Sequence, residues 1–550
     1  MKRPRFITAA AALVLGAAVF SRLAFPGHAP DSREYDVISY ALRLTVIPES
    51  MTIAGRNEIT LVTAAPASSI RLDAGSATLR IDSVLSGGRP LGFVHAGNIL
   101  EVRLSAAVRA SATVTLDVYY RGRSAFDGRY DSGGILFTKS STGYTVGTSS
   151  EPNFARLWWP CNDRPSDKAL FSLRCTVPRG MTVVSNGRLL SRTVEGAGET
   201  FEWGTKTPIA TYLVFLGASD YLVSTGTMTL PDGRPLDLAW YVFPEDSAKA
   251  AEDFRNTREI LTFFSMKFVP YPFASEKFAV AEVDSHLTME NQTIVAFERG
   301  MITGDRRNEN TFVHEIAHQW WGDLVTPVDW HHTWLNEGFA TYSEALYVES
   351  RKGPEAYRKY IDVLMDQPAG FYAGSVIGRD EDAFWDSFGP AVYYKGALTL
   401  HMLRRMMGDG AFFDALRSYL QDPRLAYANA STDDFRTHCE REYGSDLRWF
   451  FDQWVYAARD SADRPCLTYR WEERPSGPDY ILRVSVRQAA PAWRLPFSIL
   501  VHRHGGQEEY PVVDSLAAQD FVFHGASPAD SVLLDPGRDL FMTVRRGVTE

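Results

Sequence analysis

The sequence predicts a multidomain α+β protein with an all-β N-terminal domain, a helix-rich catalytic domain of mixed α/β character and a C-terminal β-sandwich. Length is the first observation behind this. At about 150 residues per domain, a chain of 550 residues holds three or four domains. Hydrophobic periodicity is the second. It alternates with period two from Tyr35 to Leu222, takes helical spacing from Ser247 to Tyr456, and alternates again after Pro465. The third is composition: 45% hydrophobic, 13% aromatic and 23% charged. That is globular, and it excludes disordered, collagen-like and heptad-repeat chains.

Residues 1–29 read as a targeting segment. Lys2, Arg3 and Arg5 precede an apolar run from Phe6 to Phe20, the proportions of a secretory signal. The run falls short of the ~20 residues that cross a bilayer as a helix. Gly27-His28-Ala29 offers small residues for cleavage, and an uncleaved anchor is the alternative. Either reading exports the body of the protein to the periplasm or the extracellular space. Membrane association would then run through this segment alone.

The first β domain is expected over 33–225. Tyr40, Leu42, Leu44 and Val46 share one face, and Val114, Leu116 and Val118 mark another strand. Turns fall at Ser86-Gly87-Gly88 and Glu195-Gly196-Ala197-Gly198. The catalytic domain is expected over 226–458, opening with a helix from Ala248 to Phe264. Over 463–550, strands around Leu467, Tyr469 and Trp471, Tyr480–Val486 and Phe497–His502 fit one sandwich.

The formal charge of −10 comes from 57 bases and 67 acids. No basic block or basic-aromatic stripe is present, so nucleic acid is excluded as a partner. Four cysteines are too few for a disulfide scaffold. The pairing of Cys161, Cys175, Cys439 and Cys466 stays open.

The chemistry lies in Thr311–Gly322, TFVHEIAHQWWG. His314 and His318, four apart on a helix, project from one face and can share one Zn²⁺. Glu315 falls beside the metal, where it can act on a bound water. Chance gives such a match in about 1–2% of chains this long. A catalytic zinc needs a third protein ligand and an open position. Glu337 supplies that ligand from WLNEGFATY, with 18 residues between it and His318, through a loop containing Pro327 and a second helical pattern. With one Zn²⁺ per chain so filled, His331 and His332 read as a polar connector.

Together HEIAHQWWGD and WLNEGFATY resemble the aminopeptidase N family of gluzincin zinc peptidases, which also includes leukotriene hydrolase. Trp158-Trp159-Pro160-Cys161-Asn162-Asp163, Ser185-Asn186-Gly187, Tyr271-Pro272-Phe273, Phe450-Phe451-Asp452-Gln453-Trp454 and Leu534-Asp535-Pro536 extend the likeness. The resemblance implies a thermolysin-like catalytic domain between the two β domains. No residues would be left for the helical fourth domain of many members.

It also implies roles. Met289-Glu290-Asn291 matches the end of the family's Gly-x-Met-Glu-Asn substrate-binding loop, with Leu287 in place of the glycine. Glu290 would bind the substrate's α-ammonium, Met289 would line the first side-chain pocket and Asn291 belongs to the same loop. Glu151, in Ser149-Ser150-Glu151-Pro152, resembles the second ammonium-binding glutamate. Tyr393, in Tyr-Tyr-Lys-Gly, resembles the catalytic tyrosine that donates to the oxyanion; Tyr394 is its packing neighbour. Asn336 and Glu344 are candidates for support around the metal, with packing or a helix-surface place as the equal alternative.

The implied activity is release of N-terminal residues from peptides with a free N-terminus, with Glu315 as general base. An endopeptidase or epoxide hydrolase on the same scaffold, and a non-catalytic peptide-binding scaffold, are the alternatives.

Overall fold

Alternation buries Tyr40, Leu42, Leu44 and Val46 on one face of strand β1 (Tyr35–Ile47), as a half-covered sheet requires. The computed structural model of the chain describes residues 35–124, 132–139, 143–285, 288–368, 370–378, 387–457 and 464–547. The expected signal or anchor at residues 1–29 and the loop position Leu287 lie outside these residues. No helix among those described is long and apolar enough to cross a membrane. The chain divides into two compact units, the first running to Asn336 and taking back the segment Tyr419–Ser431, the second beginning at Glu337.

The first unit opens with an eight-stranded sheet. Its strands are β1, β2 (Thr52–Thr63), β3 (Leu79–Ser86), β4 (Arg89–Pro90), β5 (Thr113–Arg123), β6 (Leu170–Pro178), β7 (Arg188–Glu195) and β8 (Gly198–Gly204). Their order is β7-β8-β6-β1-β2-β5-β3-β4, with β1 parallel to β6 and antiparallel to β2. Val114, Leu116 and Val118 are buried on β5. The tryptophans of the Trp-Trp-Pro segment serve this core. Trp159 meets the Tyr40 ring edge-on at 4.8 Å, and Trp158 Nε1 donates to Ser150 Oγ at 3.1 Å.

A four-stranded sheet follows in the order β9 (Leu222–Thr229), β10 (Pro235–Val242), β11 (Phe278–Val283) and β12 (Ile294–Glu298). The last three run parallel. All six residues of β11 are buried, the pattern of a strand covered on both faces. The helix expected over 248–264 is instead two, Ser247–Asp253 and α1 (Thr257–Lys267). The cause is Asp253, whose carboxylate accepts from the backbone amides of Thr303, Gly304 and Arg306 at 2.6, 2.9 and 2.8 Å. Phe254 turns inward with it, against Phe297 and Phe312. Helix α2 (Glu309–Ala317) carries the paired histidines, and α3 (Trp334–Lys352) begins in this unit.

The second unit takes the rest of α3 and then α4 (Pro354–Met365), α5 (Gly396–Gln421, interrupted at Gly408) as far as Ser418, and α6 (Thr432–Tyr443). A β-rich part closes the described chain, with one sheet of four strands and one of three. Tyr469 Oη donates to Val532 O at 2.8 Å, linking the two sheets. Trp454 packs on Trp493 with ring centroids 4.7 Å apart, tying helix to sheet. Cys161, Cys175 and Cys439 are buried and Cys466 is exposed.

A buried polar chain also crosses this unit. Tyr342 Oη lies 3.0 Å from Tyr357 Oη, which lies 2.7 Å from His401 Nδ1; His401 Nε2 lies 3.3 Å from Arg538 O. A carbonyl can only accept, so Nε2 carries the proton and Nδ1 accepts from Tyr357. Burial pushes the His401 imidazole down to about 4. Its folded pKa lies below the unfolded value, so the unfolded chain takes the proton first as pH falls. Stability contributed by the neutral ring is therefore lost from about pH 6.5 to about 4, on the order of 3 kcal/mol. Urea unfolding at pH 7 and pH 5 should show wild type losing more stability than His401→Gln. Equal losses would refute the buried neutral imidazole.

Candidate active site

Helix α2 is built to hold two histidines in place. Phe312, Val313, Ile316 and Ala317 are buried, and Phe312 packs against Phe254 and Phe297 at 4.9 and 5.7 Å. Glu309 complements the dipole in the first turn. The rings of His314 and His318 lie 4.6 Å apart, centroid to centroid, at 78°. One ring nitrogen of each is within 4.8 Å of the other.

The orientation of His318 is fixed from behind. Its Nδ1 lies 2.9 Å from Trp321 O and 2.5 Å from Asn336 Oδ1. Both partners accept, so Nδ1 carries the proton and the Nε2 lone pair is left for a metal. Asn336 Nδ2 meanwhile donates to Glu290 Oε1 at 3.1 Å. Gly322 makes this approach possible. At φ +107°, a Cβ on it would sit 2.1 Å from Asn336 Oδ1. Glu337 is buried and directly follows Asn336 in the first turn of α3. Two imidazoles, one with a fixed tautomer, and nearby carboxylates make a donor set suited to Zn²⁺.

Carboxylates gather around the second histidine. One oxygen each of Glu290 and Glu315 and a ring nitrogen of His318 lie within 4.8 Å of one another. Carboxylate oxygens of Glu151 and Glu290 come within the same distance. The loop bearing Glu290 is pinned to the sheet. Met289 N donates to Ala296 O at 2.8 Å and Ala296 N to Met289 O at 2.9 Å. Asn291 is buried, and its Nδ2 donates to Leu213 O at 3.2 Å.

Asp323 and Lys168 were not singled out in the sequence. Burial, and then the Glu290 charge, hold the Asp323 carboxyl well above the ordinary range. Lys168 Nζ donates to the carbonyls of Asp323 and Leu324 at 2.8 and 3.2 Å, and burial pushes its amine down to about 7. Asp323 closes the HEIAHQWWGD string and was legible there. No local signal marks Lys168.

Tyr393 lies in the second unit, in a five-residue π-turn (Ala391–Lys395) leading into α5. Such turns recur at functional sites. Tyr394 stacks on Phe371 at 6.5 Å and 21°, and burial with Glu344 nearby pushes its phenol up to about 12. Glu344 accepts from Tyr360 Oη at 2.9 Å. His331 and His332 occupy a short 3₁₀ turn whose start is capped by Asp329. Neither joins a set of three potential metal ligands among the described residues.

Two family descriptions match the chain. Residues 36–213 match the peptidase M1 N-terminal domain, and residues 252–454 match the peptidase family M1 domain. Aminopeptidase N of Streptomyces lividans is 27% identical over 453 residues, covering 76% of this chain and 51% of that protein. A probable aminopeptidase of Sulfurisphaera tokodaii is 26% identical over 350 residues, covering 60% and 44%. The chain thus spans about half the length of these curated relatives. An M1 zinc metallopeptidase from Deinococcus radiodurans superposes with a TM-score of 0.69 at 27% identity, covering 78% of this chain and 94% of that one.

Gly322→Ala should displace Asn336 and weaken metal retention by roughly 10- to 100-fold, the usual effect of losing a partner behind a ligating histidine. Competition with a zinc chelator measures this directly. Unchanged retention would show that Asn336 does not orient His318.

Proposed function

The chain belongs to peptidase family M1, the aminopeptidase N family of gluzincins, and from that membership we propose a zinc-dependent aminopeptidase that removes N-terminal residues from peptides. The observation that carries the reading is the cluster of Glu290, Glu315 and His318, with ligand atoms within 4.8 Å of one another. It sets a carboxylate suited to an ammonium beside one suited to a proton, at a metal-binding histidine. A substituted form of the Deinococcus relative was crystallised with a Tyr-Ser-Ala substrate, which supports peptides as the substrate class.

His314, His318 and Glu337 would hold the zinc. Bound zinc supplies Lewis acidity that lowers the pKa of a water and polarises the scissile carbonyl. Glu290 and Glu151 pair with the α-ammonium, so a free N-terminus is bound one residue from the reacting carbonyl. Glu315 accepts the proton of the attacking water and delivers it to the leaving amine. Tyr393 Oη donates a hydrogen bond to the carbonyl oxygen as it gains charge, a contribution of about 3–4 kcal/mol for one good donor. Met289 lines the first side-chain pocket, and Asn291 holds its loop. In this reading the region around α2 is the thermolysin-like catalytic part. The basic and apolar N-terminal run supports work outside the cytoplasm.

Glu315→Gln should keep its zinc and lose roughly 10²–10⁴-fold in kcat, read on aminoacyl fluorogenic substrates alongside metal content. Turnover at the wild-type level would sink the mechanism. Wild-type enzyme should cleave a free peptide far faster than its N-acetylated twin. Equal rates would point to an endopeptidase.

A further inference from the structure

Gln319 directly follows the second histidine and is fully buried. Its amide reaches away from the metal helix into the loop that carries Glu290. Oε1 accepts from Thr293 N at 2.9 Å and lies 3.2 Å from Tyr271 Oη. Nε2 lies 3.2 Å from Glu290 O, 3.4 Å from Asn291 O and 2.7 Å from Asp323 Oδ2. Three of these five partners are backbone atoms of residues 290–293.

The far side of the loop is held independently. Asn186 Nδ2 donates to Gln292 O at 2.7 Å. Thr293 Oγ1 accepts from Gly187 N at 2.9 Å and from the buried Lys277 Nζ at 3.3 Å. Thr293 itself sits at φ +68°, a left-handed conformation rare for a β-branched residue. A strained loop persists only where its surroundings over-determine it. On the side of the metal helix, Gln319 is the residue bonded to both the start and the end of this turn.

The consequence concerns distance. A carboxylate that recognises the α-ammonium selects exopeptidase cleavage only if it stands at a fixed distance from the metal ligands. Asn336 fixes the direction of the Glu290 carboxylate. Gln319, next in sequence to His318 and bonded to the carbonyl of Glu290 itself, fixes the backbone beneath it. We infer that Gln319 is a positioning residue that sets the enzyme's preference for a free N-terminus, an inference that rests on the aminopeptidase reading.

The test compares kcat/KM for a free peptide and its N-acetylated twin, with zinc content and circular dichroism recorded for each variant. Gln319→Leu keeps the volume and removes every polar atom. Its free-to-acetylated ratio should fall about tenfold or more, chiefly through a higher KM for the free peptide, with zinc retained. If that variant does not fold, Gln319→Asn leaves an amide in the pocket but draws it back from the loop, and the same fall is expected. In a Glu290→Gln background the Gln319 substitution should cost little further ratio, because both act on one contact.

A folded, zinc-loaded Gln319 variant with a ratio within about twofold of wild type would overturn the proposal. Glu290→Gln alone separates the two levels of inference. If it loses the ratio and the Gln319 variants keep it, the positioning role falls and N-terminal recognition stands. If neither moves the ratio, both fall.

Discussion

A single side-chain amide organises this site. Asn336 accepts a hydrogen bond from His318 Nδ1 through its oxygen and donates one to the Glu290 carboxylate through its nitrogen. One planar group thereby fixes the tautomer of His318 and the direction of the Glu290 carboxylate. Reversing the amide would set a donor against a donor and an acceptor against a carboxylate, so the arrangement has one low-energy sense. It requires a position without a side chain at 322 and a helix start that delivers Asn336 and Glu337 in the same turn.

Such a concentration of acid is costly to bury. Glu290, Glu315 and Asp323 stand close together, and burial raises the Asp323 carboxyl so that it resists ionising beside them. Lys168 offers opposite charge only at the margin, with its own amine pushed down by the same burial. Bound Zn²⁺ would supply the missing positive charge, which makes metal binding and the stability of the cluster a linked pair. The parallel sheet behind the cluster, with β11 wholly buried, gives these charged groups a stiff base.

Much of this was legible in the chain itself. Period-two burial in β1 and β5 followed from Tyr40 to Val46 and from Val114 to Val118, because a half-covered sheet leaves that mark directly. His314, Glu315, His318 and Glu337 were singled out by spacing, because metal chemistry fixes ligand type and helix geometry fixes separation, and each joins a set of potential ligands within 4.8 Å. The break at Asp253 was not legible. Its helix ends to satisfy amides about 50 residues away, and no local pattern records such a partner. Lys168 and Lys277 were hidden for the same reason: each donates to backbone carbonyls brought near only by the fold, those of Asp323 and Leu324 for Lys168 and those of Ser185 and Gly187 for Lys277. Gln319 lay inside the motif, yet its partners belong to another loop.

The central claim is that the support behind His318 dictates how the metal is held. A crystal structure of the purified holoprotein, with anomalous difference data at the zinc edge, tests it most directly. The account predicts one zinc per chain, bound by His314, Glu337 and the Nε2 of His318, with Nδ1 still facing Asn336. Zinc on Nδ1 of His318, or seated instead at His331 and His332, would contradict it.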